Sequence, residues 1–440
     1  MPPAVIRGAL ALVLAPALLR GQVTDTLAAR PIPLPQAVAL AQQNALGAIQ
    51  ARGQIRTAES SVRAARAALF PSLNLTMGQV NQSGDRFDSQ GRLVPYLAPQ
   101  PWSYSTGIQS SVNLFDGGRR LSEIKRSRFD VSAATANEVN ERFNLALQVK
   151  TQYYGILAAR ESEAAARAQL QQAQEQLKAS IARTAAGVAT LSDSLRSVVA
   201  VGNAQLALIT ARNNLRVASA ALTRLVGSET PVTALPADTA DLSLTPIDSA
   251  MLDGLLDEGP AVKQAEAQLT SARASVRSAR TPYLPSIDLT YSRSGNGFDK
   301  FYGIGDKSLA YTNNFSIRLA YPLWNSYQRE DALTRARVQA DVAEATVRDT
   351  RLAAQQTFVQ QLGALRTAQQ RIALQQVSVQ AAQEDLRVQQ QRYTLGASTL
   401  LDVLTSQTTL DAARSALIQA RQDFRVARAE LEALVGRELQ

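Results

Sequence analysis

FVQQLGALRTAQQRIALQQVSVQAAQEDLRVQQQRYTLG, residues Phe358–Gly396, places Phe358, Leu365, Ile372, Val379, Leu386 and Tyr393 at intervals of seven. A sustained seven-residue seam of large apolar residues points to helices that wind left-handed about one another. An ordinary amphipathic helix tolerates more drift from a strict seven. Past Gly396 the seam is paired: Val403, Leu410, Leu417, Phe424 and Leu431, with Ala413, Ala420, Ala427 and Leu434 three residues behind the last four. Layers of Ala let two helices approach closely. The composition agrees, being rich in Ala, Gln and Arg with only 5% aromatic residues, which favours long helix over a compact mixed fold.

The same plan occurs twice. With a shift of 209 residues, Phe115 falls on Trp324, Gly187 on Gly396, Asp193 on Asp402, and Leu225-Val226-Gly227 on Leu434-Val435-Gly436. The seam repeats as Val201, Leu208, Leu215 and Leu222 with Ala204, Ala211, Ala218 and Leu225. A shift of 214 instead aligns Ser61-Val62-Arg63 with Ser275-Val276-Arg277 and Pro71-Ser72-Leu73 with Pro285-Ser286-Ile287. The difference between the shifts falls between Pro71 and Phe115, where a loop absorbs it. Two repeats are expected, over 22–227 and 249–440, joined by a linker over 228–248.

Asp116–Ala186 and Asn325–Leu395 each hold 71 residues without Pro, enough for a helix of roughly 105 Å. Two shorter helices are expected beside each: Pro35–Leu69 and Leu191–Val226 in the first repeat, Met251–Arg280 and Leu400–Val435 in the second. Two half-length helices stacked along one long partner suit the wall of a tube.

Two segments have a different period. Over 70–115, Leu73, Leu75 and Met77, then Ile108, Val112 and Leu114, alternate with polar neighbours; over 284–324, Ile287, Leu289, Tyr291, Phe315, Ile317, Leu319, Tyr321 and Leu323 do the same. Period-two alternation with aromatic ends, Phe115 and Trp324 among them, fits membrane strands flanked by aromatic girdles against outer-membrane lipid. A soluble hairpin shares the alternation but has no use for the girdle. Four strands cannot close a barrel, and an open edge in lipid strands backbone groups at several kcal/mol each. Three chains supply twelve strands, so a homotrimer is expected.

Met1–Gly21 carries Arg7 followed by the apolar run Gly8–Leu19, the pattern of a secretory signal rather than a spanning helix. The chain contains neither His nor Cys, which removes imidazole general bases, thiolate nucleophiles and the usual zinc ligands. No catalytic, cofactor or metal site is expected. Ser122-Glu123-Ile124-Lys125 spells S-x-x-K, yet it lies on the long helix without companion motifs. The net charge of +9 is spread along the helices rather than clustered, which argues against nucleic acid.

The mature chain resembles the TolC family of outer-membrane efflux proteins. Leu114-Phe115-Asp116-Gly117-Gly118 and the tip Arg392-Tyr393-Thr394-Leu395-Gly396-Ala397-Ser398-Thr399-Leu400-Leu401-Asp402-Val403-Leu404 carry the local likeness. The resemblance implies a mainly α protein with a trimeric 12-stranded membrane β-barrel, four strands per chain, continuing into a coiled-coil tunnel in the periplasm. It implies a passive conduit of a tripartite efflux or type I secretion system. A periplasmic membrane-fusion adaptor and an inner-membrane pump of RND, ABC or MFS type would open it at the tips, marked by Gly187 and Gly396. Residues 228–248 would lie at the tunnel's equator.

By the same resemblance Asp402 belongs to an acidic ring at the pore constriction, with Thr405 where relatives carry a second acid. Asp193 and Tyr393 match contacts that hold the entrance closed, and Ser398 stands where the family has an Arg. Each has a plainer alternative. Asp193 and Asp402 lie just inside a helix start, where a carboxylate favours the dipole, and Tyr393 continues the seam as core. A periplasmic coiled-coil adaptor or scaffold without a pore is the competing function; the alternating strands speak against it.

Overall fold

The computed structural model describes residues 29–81, 86–94, 102–235, 254–298 and 310–438. The secretory signal over Met1–Gly21 lies outside the described residues, as do residues 236–248 of the linker and 251–253 of the expected helix Met251–Arg280. In chain order the elements are β1 (Arg30–Ile32), α1 (Leu34–Asn44), α2 (Leu46–Ala67), β2 (Ser72–Val80), β3 (Arg86–Phe87) and β4 (Leu93–Val94). There follow β5 (Ser103–Phe115), α3 (Arg119–Ala185), α4 (Leu191–Val226), β6 (Val232–Ala234) and α5 (Pro260–Ala279). The chain ends on β7 (Ser286–Phe298), β8 (Ala310–Ala320), α6 (Gln328–Thr394) and α7 (Leu400–Val435).

The seven-residue seam is the core. Phe358, Leu365 and Ile372 of α6 are buried against Ala420, Phe424, Ala427 and Leu431 of α7, and Leu386 and Tyr393 against Leu400, Val403 and Leu410 nearer the tip. Pairing a large residue on one helix with Ala on the other keeps the axes close. In the first repeat α4 packs along α3, burying Ala204, Leu208 and Leu222. α2 and α4 lie along α3, while α5 and α7 lie along α6; α3 also touches α5 and α7, which joins the repeats. Below the middle of the molecule the order across the wall is therefore α4, α3, α7, α6.

Several boundaries differ from expectation. The helix Pro35–Leu69 is two helices, because Ala45 turns extended (φ −64°, ψ 143°). Arg52 compensates by donating its guanidinium to the freed carbonyls of Gln42 and Gln43. The break also fits Gly227 against Asn44: a Cβ on that glycine would come within 2.9 Å of the Asn44 side chain. Each long helix runs 67 residues rather than 71, about 100 Å. Gly117 and Gly118 take positive φ (66° and 81°) before α3, and in the second repeat Ser326 and Tyr327 do so (55° and 60°) before α6. These left-handed pairs turn the chain from strand to helix. The helix Met251–Arg280 is shortened to α5, because Pro260 has no N–H to extend it backwards; a 3₁₀ turn, Leu256–Glu258, precedes it.

One antiparallel sheet combines the hairpins of both repeats in the order β2-β5-β7-β8. Its register places Leu75 opposite Ile108, Ile108 opposite Arg293, and Ile287 and Leu289 opposite Leu319 and Ile317. One face therefore carries Leu73, Leu75, Met77, Ile108, Val112, Leu289, Phe315, Ile317 and Leu319, with the polar Ser110, Arg293 and Asn313 among them. No helix packs on it; Leu73, Ile317 and Leu319 are 73%, 63% and 68% exposed. β8 ends at Ala320, so Tyr321 and Leu323 continue beyond the strand, next to Pro322, which cannot donate to a ladder. The loop between β2 and β5 carries the small hairpin β3–β4.

The linker begins with structure that the sequence did not suggest. β6 pairs in parallel with β1, and the fully buried Tyr153 pins both: its hydroxyl donates to Ile32 O (3.1 Å) and accepts Leu235 N–H (3.0 Å). Among the described residues no helix is long and apolar enough to cross a membrane.

Candidate functional site: the helical tips and the aromatic rim

Both tips are built alike. α3 and α6 each end two residues before Gly187 and Gly396, whose φ angles of 77° and 78° only glycine adopts without strain. Val188 N–H returns to Arg183 O (3.0 Å) and Ala397 N–H to Arg392 O (2.8 Å), closing the last turn of each helix. A side chain on either glycine would meet nothing within 4 Å, so backbone conformation alone explains the residue.

Asp193 and Asp402 are N3 residues of capping boxes. Thr190 N–H donates to Asp193 Oδ2 (3.2 Å) while Asp193 N–H donates to Thr190 Oγ1 (3.3 Å). At the second tip Asp402 Oδ2 receives Thr399 N–H (2.8 Å), Thr399 Oγ1 (2.8 Å) and Ser398 Oγ (2.9 Å). The capping alternative is thus realised for both aspartates. The Thr399 backbone and hydroxyl, then the Ser398 hydroxyl, hold the Asp402 carboxyl below its ordinary pKa. It remains an exposed, ionised group, with Oδ2 committed to the cap. Ser398 serves this cap, and its hydroxyl also lies within hydrogen-bonding distance of the Gln389 side-chain amide (3.0 Å).

Tyr393 is only 7% exposed and lies beneath the Arg183 guanidinium, 4.8 Å from the ring centroid. Arg183 also donates through Nη1 to Thr394 O (3.0 Å). Burial raises the pKa of Tyr393, the negative charge of Asp193 raises it further, and Arg183 opposes both. Asp193 therefore acts on Tyr393 through its field, while the direct link between the two tips is Arg183. The Tyr393 hydroxyl is buried, and Arg183 is the side chain that acts on it directly. The repeat contained the signal for Arg183: the 209-residue shift sets it on Arg392, which donates to its own tip at Ala397 O (3.3 Å). One arginine closes a tip and its copy crosses to the neighbouring tip.

At the other end of the helices Phe115 and Trp324 stand exposed at the base of the sheet (43% and 68%). Trp324 meets Tyr327 edge to face, with ring centroids 4.8 Å apart. Phe70 and Tyr321 are exposed at the same level, giving a rim of aromatic rings between an apolar sheet face and polar helices. Tyr327 was missed from the sequence because it follows the strand and shows no alternation.

The outer membrane efflux protein family matches residues 37–228 and 251–437, once per repeat. The chain is 29% identical over 419 residues to the pyoverdine export outer membrane protein OpmQ of Pseudomonas aeruginosa, spanning 90% of this chain and 82% of that one. It is 27% identical over 444 residues to the outer membrane efflux protein BepC of Brucella suis, spanning 97% and 90%. The fold matches that of CusC with a TM-score of 0.78 at 19% identity, covering 99% of both chains. It matches the open state of the MtrE channel of Neisseria gonorrhoeae with a TM-score of 0.73 at 21% identity, covering 92% of this chain and 89% of that one. With the duplicated tips, the apolar sheet and the aromatic rim, these matches show that the chain belongs to the outer membrane efflux protein family, as an outer-membrane channel and not a periplasmic adaptor.

Proposed function

We propose that three copies of this chain form one passive conduit from periplasm to exterior, a 12-stranded barrel above a coiled-coil tunnel. The observation that carries this reading is the pair of unlike open edges. The sheet ends on β2 at one side and β8 at the other, and its apolar face has no cover. Along the helices the same two sides end on α4 and α6. α6 exposes Val338, Leu352 and Val359, then Leu374 and Val388, at multiples of seven, with Leu395 seven further on just past its end; α4 exposes Leu195, Val199, Leu206 and Ile209. These stripes lie opposite the buried seam and match what a second coiled-coil partner needs. Two different edges that meet head to tail generate a ring, and closure satisfies every strand edge in lipid.

In this reading Gly187 and Gly396 turn the tips that an adaptor and an inner-membrane pump engage. Three Asp402 carboxylates line the constriction, Asp193 and Tyr393 with Arg183 hold the entrance shut, and Phe115 and Trp324 meet lipid headgroups. The segment 228–248 belongs to the equatorial belt. The relatives' names speak of pyoverdine export and of toluene, solvent and antibiotic efflux, which favours small molecules as cargo over secreted proteins. The test is planar-bilayer recording of the purified protein. Discrete conductance steps with cation preference, reduced in Asp402→Ala, support the reading; steps with unaltered selectivity in Asp402→Ala remove Asp402 from the constriction.

A further inference from the structure

α3 and α7 form the seam between the two helical hairpins. Towards the sheet it is tied by Lys150 to Glu432 (2.5 Å) and Arg421 to Glu161 (3.4 Å), and at the tips by Arg183 to Thr394. Between these ties lie two cavities of about 790 and 540 Å³ that share Gln169, Asn203 and Asp411 in their walls. Asp411 is half-buried between α7, α3 and α4. Gln407 Nε2 donates to Asp411 Oδ1 at 3.0 Å. The other two acceptors of this pair, Asp411 Oδ2 and Gln407 Oε1, are both buried without a donor among the described residues.

Two buried acceptors on one hydrogen-bonded pair are costly. Turning the Gln407 amide over does not help, since its oxygen would then face Oδ1. One added hydrogen does help, because a carboxylic acid and a primary amide can exchange two hydrogen bonds. Burial raises the affinity of the Asp411 carboxyl for that hydrogen, against the pull of Gln407 and Arg414. The described cavity walls contain no second acid, and the acid on the facing helix beside the pair, Asp385 of α6, accepts a hydrogen bond from Ser406. Across the cavities α3 presents Gln169, Gln172 and Gln176 and α6 presents Gln390, all neutral; the cations are Arg196 on α4 and Arg414 on α7 itself.

We propose that Asp411 and Gln407 form a proton-binding site: a proton on Asp411 Oδ2 is donated to Gln407 Oε1, closing a two-bond acid–amide pair, and its loss loosens the seam between the hairpins. The site therefore takes up a proton on folding. Its contribution to stability is complete below the ordinary Asp value of about 3.9 and is lost as pH rises through the higher folded-state value. An ionised Asp411 draws water into the cavities and favours parting of α7 from α3. The consequence for conductance rests on the channel reading above; the proton site does not.

The test uses the full chain in detergent, titrated upward from the ordinary Asp value of about 3.9. Infrared difference spectra should show a protonated-carboxyl stretch in the wild type that disappears in Asp411→Asn. If Asp411→Asn does not assemble, Asp411→Glu should move the band instead of abolishing it. A band unchanged in these variants, or absent from the wild type, overturns the proposal; absence is what a water bridging Gln176, Gln407 and an ionised Asp411 would give. The thermal midpoint should fall with rising pH in the wild type and lose that slope in Asp411→Asn, and an equal slope in both also overturns it. In bilayers the open probability should rise as pH rises through the folded-state titration of Asp411 and become insensitive to pH in Asp411→Asn. A flat wild-type response beside a titrating band defeats the coupling, whereas a titrating band in a protein that never conducts defeats the channel reading alone.

Discussion

An arginine introduced on the apolar face of β8 should cost insertion according to its depth. From Tyr311 to Ala320 the strand advances nine steps, about 30 Å at 3.3 Å per residue. At a tilt of about 40° this spans about 23 Å of depth, close to the ~25 Å apolar band of an outer-membrane barrel. The midpoint falls next to Phe315 and Ile317. Leu319 lies about 9 Å deeper towards the aromatic rim, by the same rise and tilt. Ile317→Arg should therefore cost ~2–4 kcal/mol per chain and Leu319→Arg nearer ~1 kcal/mol. Three copies multiply the first to ~6–12 kcal/mol per assembled barrel, enough to abolish assembly. Arg318, opposite Asp288 on the other face, should tolerate replacement by Leu. The assay is outer-membrane fractionation with detection of detergent-resistant oligomer for the three variants side by side. Normal insertion of Ile317→Arg with failure of Arg318→Leu would refute the assignment of faces; equal damage from Ile317→Arg and Leu319→Arg would refute the depth profile.

Arg183→Leu removes a hydrogen bond to Thr394 and a stack on Tyr393, about 1–3 kcal/mol of tip contact, and should raise the resting open probability in single-channel recordings. Tyr393→Phe, which keeps the ring beneath Arg183, should have the smaller effect; the reverse order contradicts the assignment of Arg183 as the link. Asp402→Ala should lower cation preference and weaken block by multivalent cations. Because the caps hold the Asp402 carboxyl below its ordinary value, wild-type selectivity should persist as pH falls to about 4 and fade only below it; a loss already complete at about pH 5 would count against the cap. Leu431→Ala empties a fully buried position in the seam and should cost about 2–5 kcal/mol per chain, read as a lower thermal midpoint with unchanged selectivity.

What the sequence disclosed follows from which signals are local. α4 and α7 start on Thr190 and Thr399 and stop at Gly227 and Gly436, residue types that mark helix ends wherever they occur. The seven-residue seam and the alternating strands are likewise written in short windows. The break at Ala45 was not legible, since Ala is the best helix former and the turn is fixed by Arg52 and the fit to Gly227. The left-handed Ser326 and Tyr327 were equally hidden, because the repeat has glycines there only in its first copy. The pairing of β1 with β6 joins residues about 200 apart and depends on Tyr153 between them. At the site, the two aspartates stood out by their place in the repeat, and Tyr393 by the seam and the family resemblance. Arg183 did not, although its copy Arg392 was in view; the asymmetry between them arises only when the hairpins pack.

The central claim is that the sheet closes by joining β2 of one chain to β8 of the next. The chain has no cysteine of its own, so an introduced pair reports that junction cleanly. Asn74 on β2 and Asn314, Ser316 or Arg318 on β8 share the polar face by register. Asn74→Cys combined in turn with each β8 position should give, on oxidation in intact outer membranes, a covalent ladder of two and then three chains that stops there. Products confined to a single chain at every β8 position, or a ladder that runs past three, would contradict the account.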